Sequence, residues 1–174
     1  MLENDSVVID EMKFVGATLW TDFNKNSIAS KALAKIYMND YQYISTEDKS
    51  RRITPDEIYN IHKKSRKFIF SQKKDYPTQK LICVSHMAPS QQSVNIKYLA
   101  ESMKETNFFY YSDLESDAIN SDYDYWFHGH MHDSVEYLLG KCRVIANPMG
   151  YASYSGFENL SFNPEMIIDP FKEL

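Results

Sequence analysis

Residues 123–132 read YDYWFHGHMH, a strand-like run of aromatic residues that ends in three histidines at alternate positions. A second strand-like run, LICVS at residues 81–85, is also followed directly by a histidine, His86. Continuous apolar runs of this length are typical of strands inside a parallel sheet. Open α/β sheets place their ligands at the carboxyl ends of such strands. The two segments therefore predict an α/β fold with histidines gathered at one edge of its sheet.

Helical patterns lie between the strand-like segments. Apolar residues recur at helical spacing between residues 27 and 38. Thr54, Pro55 and Glu57 form a helix start signal, with a capping threonine, a proline at the first helical position and a glutamate three residues after the cap. The apolar spacing that follows predicts a helix to about residue 72. Helices that alternate with buried strands indicate an α/β protein, and we expect residues 1–174 to form a single domain.

Further elements are predicted around this framework. Two β-rich runs over residues 7–19 and two over residues 135–146 are each split by a short turn, which predicts two hairpins. Ser112 and Glu115 have the spacing of a second capping box. The apolar run MII at residues 166–168 predicts a last short strand.

Composition narrows the classes of protein. Hydrophobic residues make up 43% of the 174 residues and charged residues 25%, as in ordinary soluble proteins. The apolar runs are too short to span a membrane. The start, MLENDSVVID, lacks the basic and then apolar layout of a signal peptide, so we expect a cytoplasmic protein. Cys83 and Cys142 both lie in strand-like runs, which favours buried free thiols over a disulfide.

The net charge of −5 argues against a broad nucleic-acid-binding surface, because such a surface needs a basic footprint. One basic stretch is a local exception and runs from Arg51 to Lys74. It is either a solvated helix face or a surface that contacts an anionic substrate or partner.

The histidine cluster predicts metal binding. Side chains two apart in an extended segment share a face, so His128, His130 and His132 can point the same way. Gly129 removes side-chain bulk where the chain turns after the strand. His86 at the end of a second strand suggests convergence on one metal ion. The competing interpretation is a set of solvated loop histidines.

These segments resemble the C-terminal signature of the calcineurin-like metallophosphoesterases. Gly-His-Met-His at residues 129–132 matches the last motif of that family, Gly-His-X-His, and Val-Ser-His at residues 84–86 resembles the motif before it. RVIANPMGY at residues 143–151 resembles the stretch that often follows. GATLWTDF (16–23) and YYSDLES (110–116) are similar to one bacterial and phage branch, so the resemblance covers nearly the whole chain.

The resemblance implies metal-dependent hydrolysis of a phosphoester substrate by a β-sandwich flanked by helices, present here as its C-terminal portion. It implies that His86 and His130 bind one metal of a two-metal centre and that His132 binds the other. His128 and Asn147 would orient these ligands without binding the metal themselves. Imidazole suits Mn, Fe, Zn or Ni, and the sequence does not choose among them.

The other ligand motifs of the family, Asp-X-His, Gly-Asp-X-X-Asp and Gly-Asn-His, do not occur in this sequence. We therefore expect an incomplete metal site and no activity from the isolated chain, either as a truncated product or as a half that needs an N-terminal half or a homo-oligomer. Two alternatives stay open. One is a rebuilt site that uses Asp22, Asp113 or Asp133, and the other is a non-catalytic interaction module with at most one histidine-bound metal.

Overall fold

The structure is a computed structural model and describes residues 2–75, 80–100, 103–154 and 156–172. Within these ranges, no helix combines the length and the apolar character that a membrane crossing needs. The strands are β1 (Asp5–Ile9), β2 (Met12–Ala17), β3 (Lys80–Ser85), β4 (Tyr125–Phe127), β5 (Val135–Leu139), β6 (Cys142–Ala146), β7 (Ala152–Ser153) and β8 (Gly156–Phe157). The α-helices are α1 (Phe23–Asn26), α2 (Ile28–Tyr37), α3 (Asp40–Tyr43), α4 (Pro55–Ser71), α5 (Lys104–Asn107) and α6 (Glu115–Ile119), and short 3₁₀ turns cover Gln91–Ser93 and Ile96–Tyr98.

Six strands form one mixed sheet in the order β1-β2-β3-β4-β6-β5. Strands β2, β3, β4 and β6 run parallel, and the β1–β2 and β5–β6 hairpins add an antiparallel strand at each edge. The α/β class and both predicted hairpins are confirmed. The parallel pairing brings the carboxyl ends of β3 and β4 to the same edge, so the segments that follow these strands start side by side.

One face of the sheet packs against helices. Val15, Cys83, Trp126 and Val144 are paired in register across β2, β3, β4 and β6, and all four are fully buried. Ile69 of α4 contacts the same cluster. Such a core is held by the removal of apolar surface from water, at roughly 25 cal/mol per Å². Cys83 and Cys142 are both buried free thiols, as expected from the sequence.

The longest helix begins where its capping signal predicts. The Thr54 hydroxyl accepts a hydrogen bond from the Glu57 amide at 3.3 Å, and the Glu57 carboxylate accepts one from the Thr54 amide at 2.9 Å. The pair satisfies two amides that a helix start leaves without partners. Pro55 occupies the first position, and the helix ends at Ser71.

Carboxylates pair with four of the eight cations in the basic stretch from Arg51 to Lys74. The ion pairs are Arg51–Glu57, Arg66–Asp117, Lys73–Asp122 and Lys74–Asp124. Paired cations contribute less to an electrostatic footprint for an anionic partner, which supports the solvated-face interpretation for that half of the stretch.

Two sequence predictions about secondary structure are wrong. Helix α6 has no capping box, because the Ser112 hydroxyl accepts a hydrogen bond from the amide of Asp22, and Glu115 instead accepts one from Ser90. Residues 166–168 form no strand; Ile168 instead packs against Ile82, Tyr125 and Ile145 on the sheet face opposite the helices. In both cases a tertiary contact replaces the local pattern.

Candidate functional site

His86 and His130 meet at the carboxyl edge of the parallel sheet. His86 follows the last residue of β3, and His130 lies three residues after the end of β4. The Gly129 amide donates to the His86 carbonyl oxygen at 3.1 Å, which ties the two segments together. As a result, Nδ1 of His130 lies 2.9 Å from Nε2 of His86, and the ring centroids are 4.7 Å apart.

The histidines themselves carry the unusual backbone angles of this loop. His130 and His132 have φ of +53° and +52°, in the left-handed region that L-residues rarely occupy. Gly129, where the sequence suggested freedom for the turn, has no positive φ, and a Cβ added there would only reach ordinary contact with His86 at 3.5 Å. Left-handed non-glycine residues each cost about 1–3 kcal/mol and cluster at functional sites.

The environment keeps both imidazoles of the pair neutral. Burial, with the neighbouring histidines as a smaller cause, lowers the pKa of His130 to about 3. Burial also lowers the pKa of His86, against the opposing influence of the Asp40 carboxylate. A neutral imidazole keeps one nitrogen lone pair available, which is the form that binds metals.

His128 lies at the centre of a buried hydrogen-bonded chain. Its Nδ1 is 3.1 Å from the Gly129 carbonyl oxygen, which can only accept, so this nitrogen carries the hydrogen. Its Nε2 then accepts from the Ser93 hydroxyl at 2.8 Å, and Ser93 accepts from the Tyr137 hydroxyl at 2.7 Å. Burial lowers the pKa of His128 to about 4. These hydrogen bonds fix the imidazole ring of His128, the residue directly before Gly129.

His132 hydrogen-bonds a carboxylate that sequence reasoning did not identify. Nδ1 of His132 lies 2.8 Å from Oε2 of Glu158. The ring of Tyr151 meets the His132 ring edge-on, with centroids 4.7 Å apart. Glu158 lies 26 residues further along the chain, after the strands β5 to β8, so no local spacing could have connected it to His132.

Asn147, predicted to support the metal ligands, hydrogen-bonds the C-terminal segment. Its side-chain amide donates to the Asn163 carbonyl oxygen at 2.7 Å, and its oxygen accepts from the Asn163 amide at 3.0 Å. Ser134 donates to the same oxygen at 3.3 Å. Among the described residues, the side chain of Asn147 therefore anchors the C-terminal segment to the end of the sheet.

The carboxylates of the rebuilt-site alternative make other contacts. Asp22 and Asp113 line a separate cavity of about 320 Å³ together with Glu115. Asp133 accepts a hydrogen bond from the Asn95 side chain at 2.9 Å. Within the described part of the chain, none of these three side chains hydrogen-bonds a candidate histidine ligand.

A groove of about 620 Å³ leads from the histidines across the sheet face that lacks helices. Val84 sits in the middle of the sheet and is nevertheless 41% exposed. Parallel strands are ordinarily covered on both faces, so an exposed valine at this position marks an open apolar surface. The side chains that line this groove include Val7, Ile9, Phe14, Val84, His86 and Phe127.

The donor geometry fits part of a metal site. At metal–nitrogen distances of about 2.0–2.1 Å, two ligands at a right angle have nitrogens roughly 2.9 Å apart, as in the His86–His130 pair, whereas two tetrahedral ligands have nitrogens roughly 3.4 Å apart. Nε2 of His130 is buried and hydrogen-bonds no described residue. Across residues 2–75, 80–100, 103–154 and 156–172, however, no three His, Cys, Asp or Glu side chains are arranged to hold one ion. The pair therefore fits two neighbouring ligands and not a whole site.

Comparisons with known proteins add no assignment: no model of a protein family matches the chain, and no curated protein is found to be similar to it.

Proposed function

We propose that this chain carries the C-terminal, histidine-bearing part of a metal-dependent phosphoester hydrolase of the calcineurin-like metallophosphoesterase type. The observation that carries the proposal is the contact between His86 and His130, whose facing nitrogens lie 2.9 Å apart. These residues come from the carboxyl ends of two parallel neighbours, the position at which α/β sheets bind ligands.

The proposal assigns each histidine a role. His86 and His130 bind one divalent ion, and His132 contributes to a second one. His128 holds the loop through Ser93 and Tyr137. Divalent ions in two-metal centres activate water and stabilise the charge that develops on a phosphoryl group. Sequence and donor type are compatible with Mn, Fe, Zn or Ni.

The remaining ligands are proposed to come from a segment outside these 174 residues. Two lines of support come from the chain itself. The described side chains supply only a pair of converging nitrogens, whereas a zinc-like site needs three or four ligands. The apolar groove that ends at His86 leaves Val84 exposed in a central strand. A polypeptide that covers this face with apolar strands would also bring its own loops to the histidines.

Complementation tests the proposal directly. The chain would be assayed with aryl phosphate monoesters and diesters in the presence of Mn²⁺, Ni²⁺ or Zn²⁺, first alone and then with a separate polypeptide that carries the Asp-X-His, Gly-Asp-X-X-Asp and Gly-Asn-His motifs. We expect background turnover alone and metal-dependent turnover in the mixture. The His130→Ala variant should abolish the activity of the mixture.

Other outcomes separate the alternatives. Robust turnover by the chain alone would favour a site rebuilt from its own carboxylates. Failure to bind metal together with failure to complement would reject the hydrolase proposal in favour of an interaction module.

A further inference from the structure

Glu158 and His132 form a built pair rather than a chance surface contact. Besides accepting from His132, Oε2 of Glu158 lies 3.1 Å from the amide nitrogen of Tyr151, which donates to it. The Glu158 amide donates to the Tyr151 carbonyl oxygen at 3.0 Å, so the hairpin formed by β7 and β8 is closed at its base. The ring of Tyr151 then covers the edge of the His132 ring.

A glycine makes room for this arrangement. Gly150 has φ of +70°, and a Cβ added to it would lie 2.9 Å from the Cβ of Glu158 and 3.2 Å from its Oε2. Any other residue at this position would push the carboxylate away from His132. Asn159 fixes the next position, since its side-chain amide donates to the Pro148 carbonyl oxygen at 2.6 Å and to Ser134 at 2.8 Å.

The chemistry of the pair determines which nitrogen of His132 is free. An ionised carboxylate only accepts hydrogen bonds, so the hydrogen must sit on Nδ1 of His132. Glu158 is half-exposed, and an exposed glutamate is ionised at neutral pH. A neutral His132 then carries its lone pair on Nε2, the nitrogen that points away from the carboxylate.

We propose that Glu158 is a positioning residue that locks His132 in the Nδ1–H tautomer and so presents Nε2 as a metal ligand. Carboxylate partners of this kind orient metal-binding histidines and raise their basicity, and their loss typically weakens metal binding 10- to 100-fold. The inference rests on the proposed function, because it assumes that His132 serves a metal centre. It adds a residue that neither the histidine motif nor its spacing identifies.

The tautomer can be measured without any metal. Long-range ¹H–¹⁵N correlation spectra of the ¹⁵N-labelled, metal-free chain at about pH 8, where imidazole is neutral, report which nitrogen is protonated. For the wild-type chain we expect His132 to favour Nδ1–H by at least about tenfold, since a hydrogen bond to a charged group is among the stronger ones. Glu158→Ala should reduce that preference to about threefold or less.

Matched variants keep the result specific. Glu158→Gln retains an acceptor for both Nδ1 and the Tyr151 amide, and it should keep most of the preference. Glu165→Ala removes an exposed carboxylate from the same C-terminal segment and should leave the His132 signals unchanged. If Glu158→Ala fails to fold, the tautomer of His132 in the wild-type spectrum still tests the inference.

A wild-type His132 that carries its hydrogen on Nε2, or that shows the same tautomer ratio with and without Glu158, would overturn the inference even in a chain that binds metal. A fixed Nδ1–H tautomer in a chain that fails the complementation test would uphold the positioning contact and reject the proposed hydrolase. The two failures are therefore distinguishable.

Discussion

Nδ1 of His130 lies 2.9 Å from Nε2 of His86, although 44 residues separate the two along the chain. Parallel pairing of β3 with β4 creates this contact, and the bond from the Gly129 amide to the His86 carbonyl sets its register. At this spacing one of the two neutral imidazoles donates a hydrogen bond to the other, so a metal ion would have to displace that hydrogen to bind both nitrogens. Four predictions about stability, assembly and metal binding can be tested on the isolated chain.

The isolated chain should bind at most one Zn²⁺ or Ni²⁺ and only weakly, because two imidazoles without carboxylates leave most of the metal charge uncompensated. His86→Ala and His130→Ala should each abolish binding in isothermal titration calorimetry. His132→Ala should change the affinity little, because the proposal assigns His132 to the second ion and not to the ion held by His86 and His130. Tight binding of two ions, or binding that survives His130→Ala, would contradict the assignment.

Loss of the Ser93 hydroxyl should destabilise the fold more than loss of the Tyr137 hydroxyl, which donates to it. Ser93→Ala leaves Nε2 of His128 without its buried partner and removes one of the partners of the Tyr137 hydroxyl, which should cost about 2 kcal/mol of unfolding free energy. Tyr137→Phe keeps the Ser93–His128 bond and should cost about 1 kcal/mol. Urea unfolding measures both values, and equal costs would show that the chain of hydrogen bonds does not act as described.

The open sheet face should drive self-association when no other partner covers it. Val84→Lys places a charge on this face and should alter the unfolding free energy by about 1 kcal/mol or less, because Val84 is 41% exposed. The same variant should weaken assembly at least tenfold, about 1.4 kcal/mol, as measured by sedimentation.

Val144→Lys is the matched substitution on the opposite face of the sheet. Val144 is fully buried, so this variant should prevent stable folding altogether. A wild-type chain that stays monomeric at tens of micromolar would count against the open face as an association surface.

Mild acid should destabilise the protein before its carboxylates titrate. Burial lowers the pKa of His128 to about 4 and also lowers that of His62, so the unfolded chain takes up protons first as the pH falls below about 6.5. The stability contributed by neutral histidines is complete above this value and declines below it. His128 alone should cost about 2 kcal/mol by pH 5.

Urea unfolding between about pH 7.5 and pH 5 checks this slope. Replacement of His128 by asparagine should reduce the dependence of the unfolding free energy on pH by the contribution of one titrating group. This change is expected whatever the effect of the substitution on absolute stability. A stability that is constant over this range would show that the buried histidines do not control the acid response.

Local sequence signals determined the elements whose causes are themselves local. Thr54, Pro55 and Glu57 fix the start of α4 because a capping box involves only neighbouring residues. The apolar run LICVS and the spacing at residues 27–38 predicted a strand and a helix that the structure contains. The same applies to the idea that histidines follow two strands of one sheet, since it needs only the order of elements along the chain.

Tertiary structure decided what each side chain of the site does. Ser112 had the spacing of a cap, yet its hydroxyl binds the amide of Asp22, 90 residues away. Glu158 gave no signal in the sequence because its partner, His132, is reached through the closure of the β7–β8 hairpin. Hydrogen-bond partners and burial depend on which segments fold against each other, and a pattern read along the chain carries no record of that. The sequence therefore determined which residues could form the site, and packing determined that His86 pairs with His130 while His132 turns to Glu158.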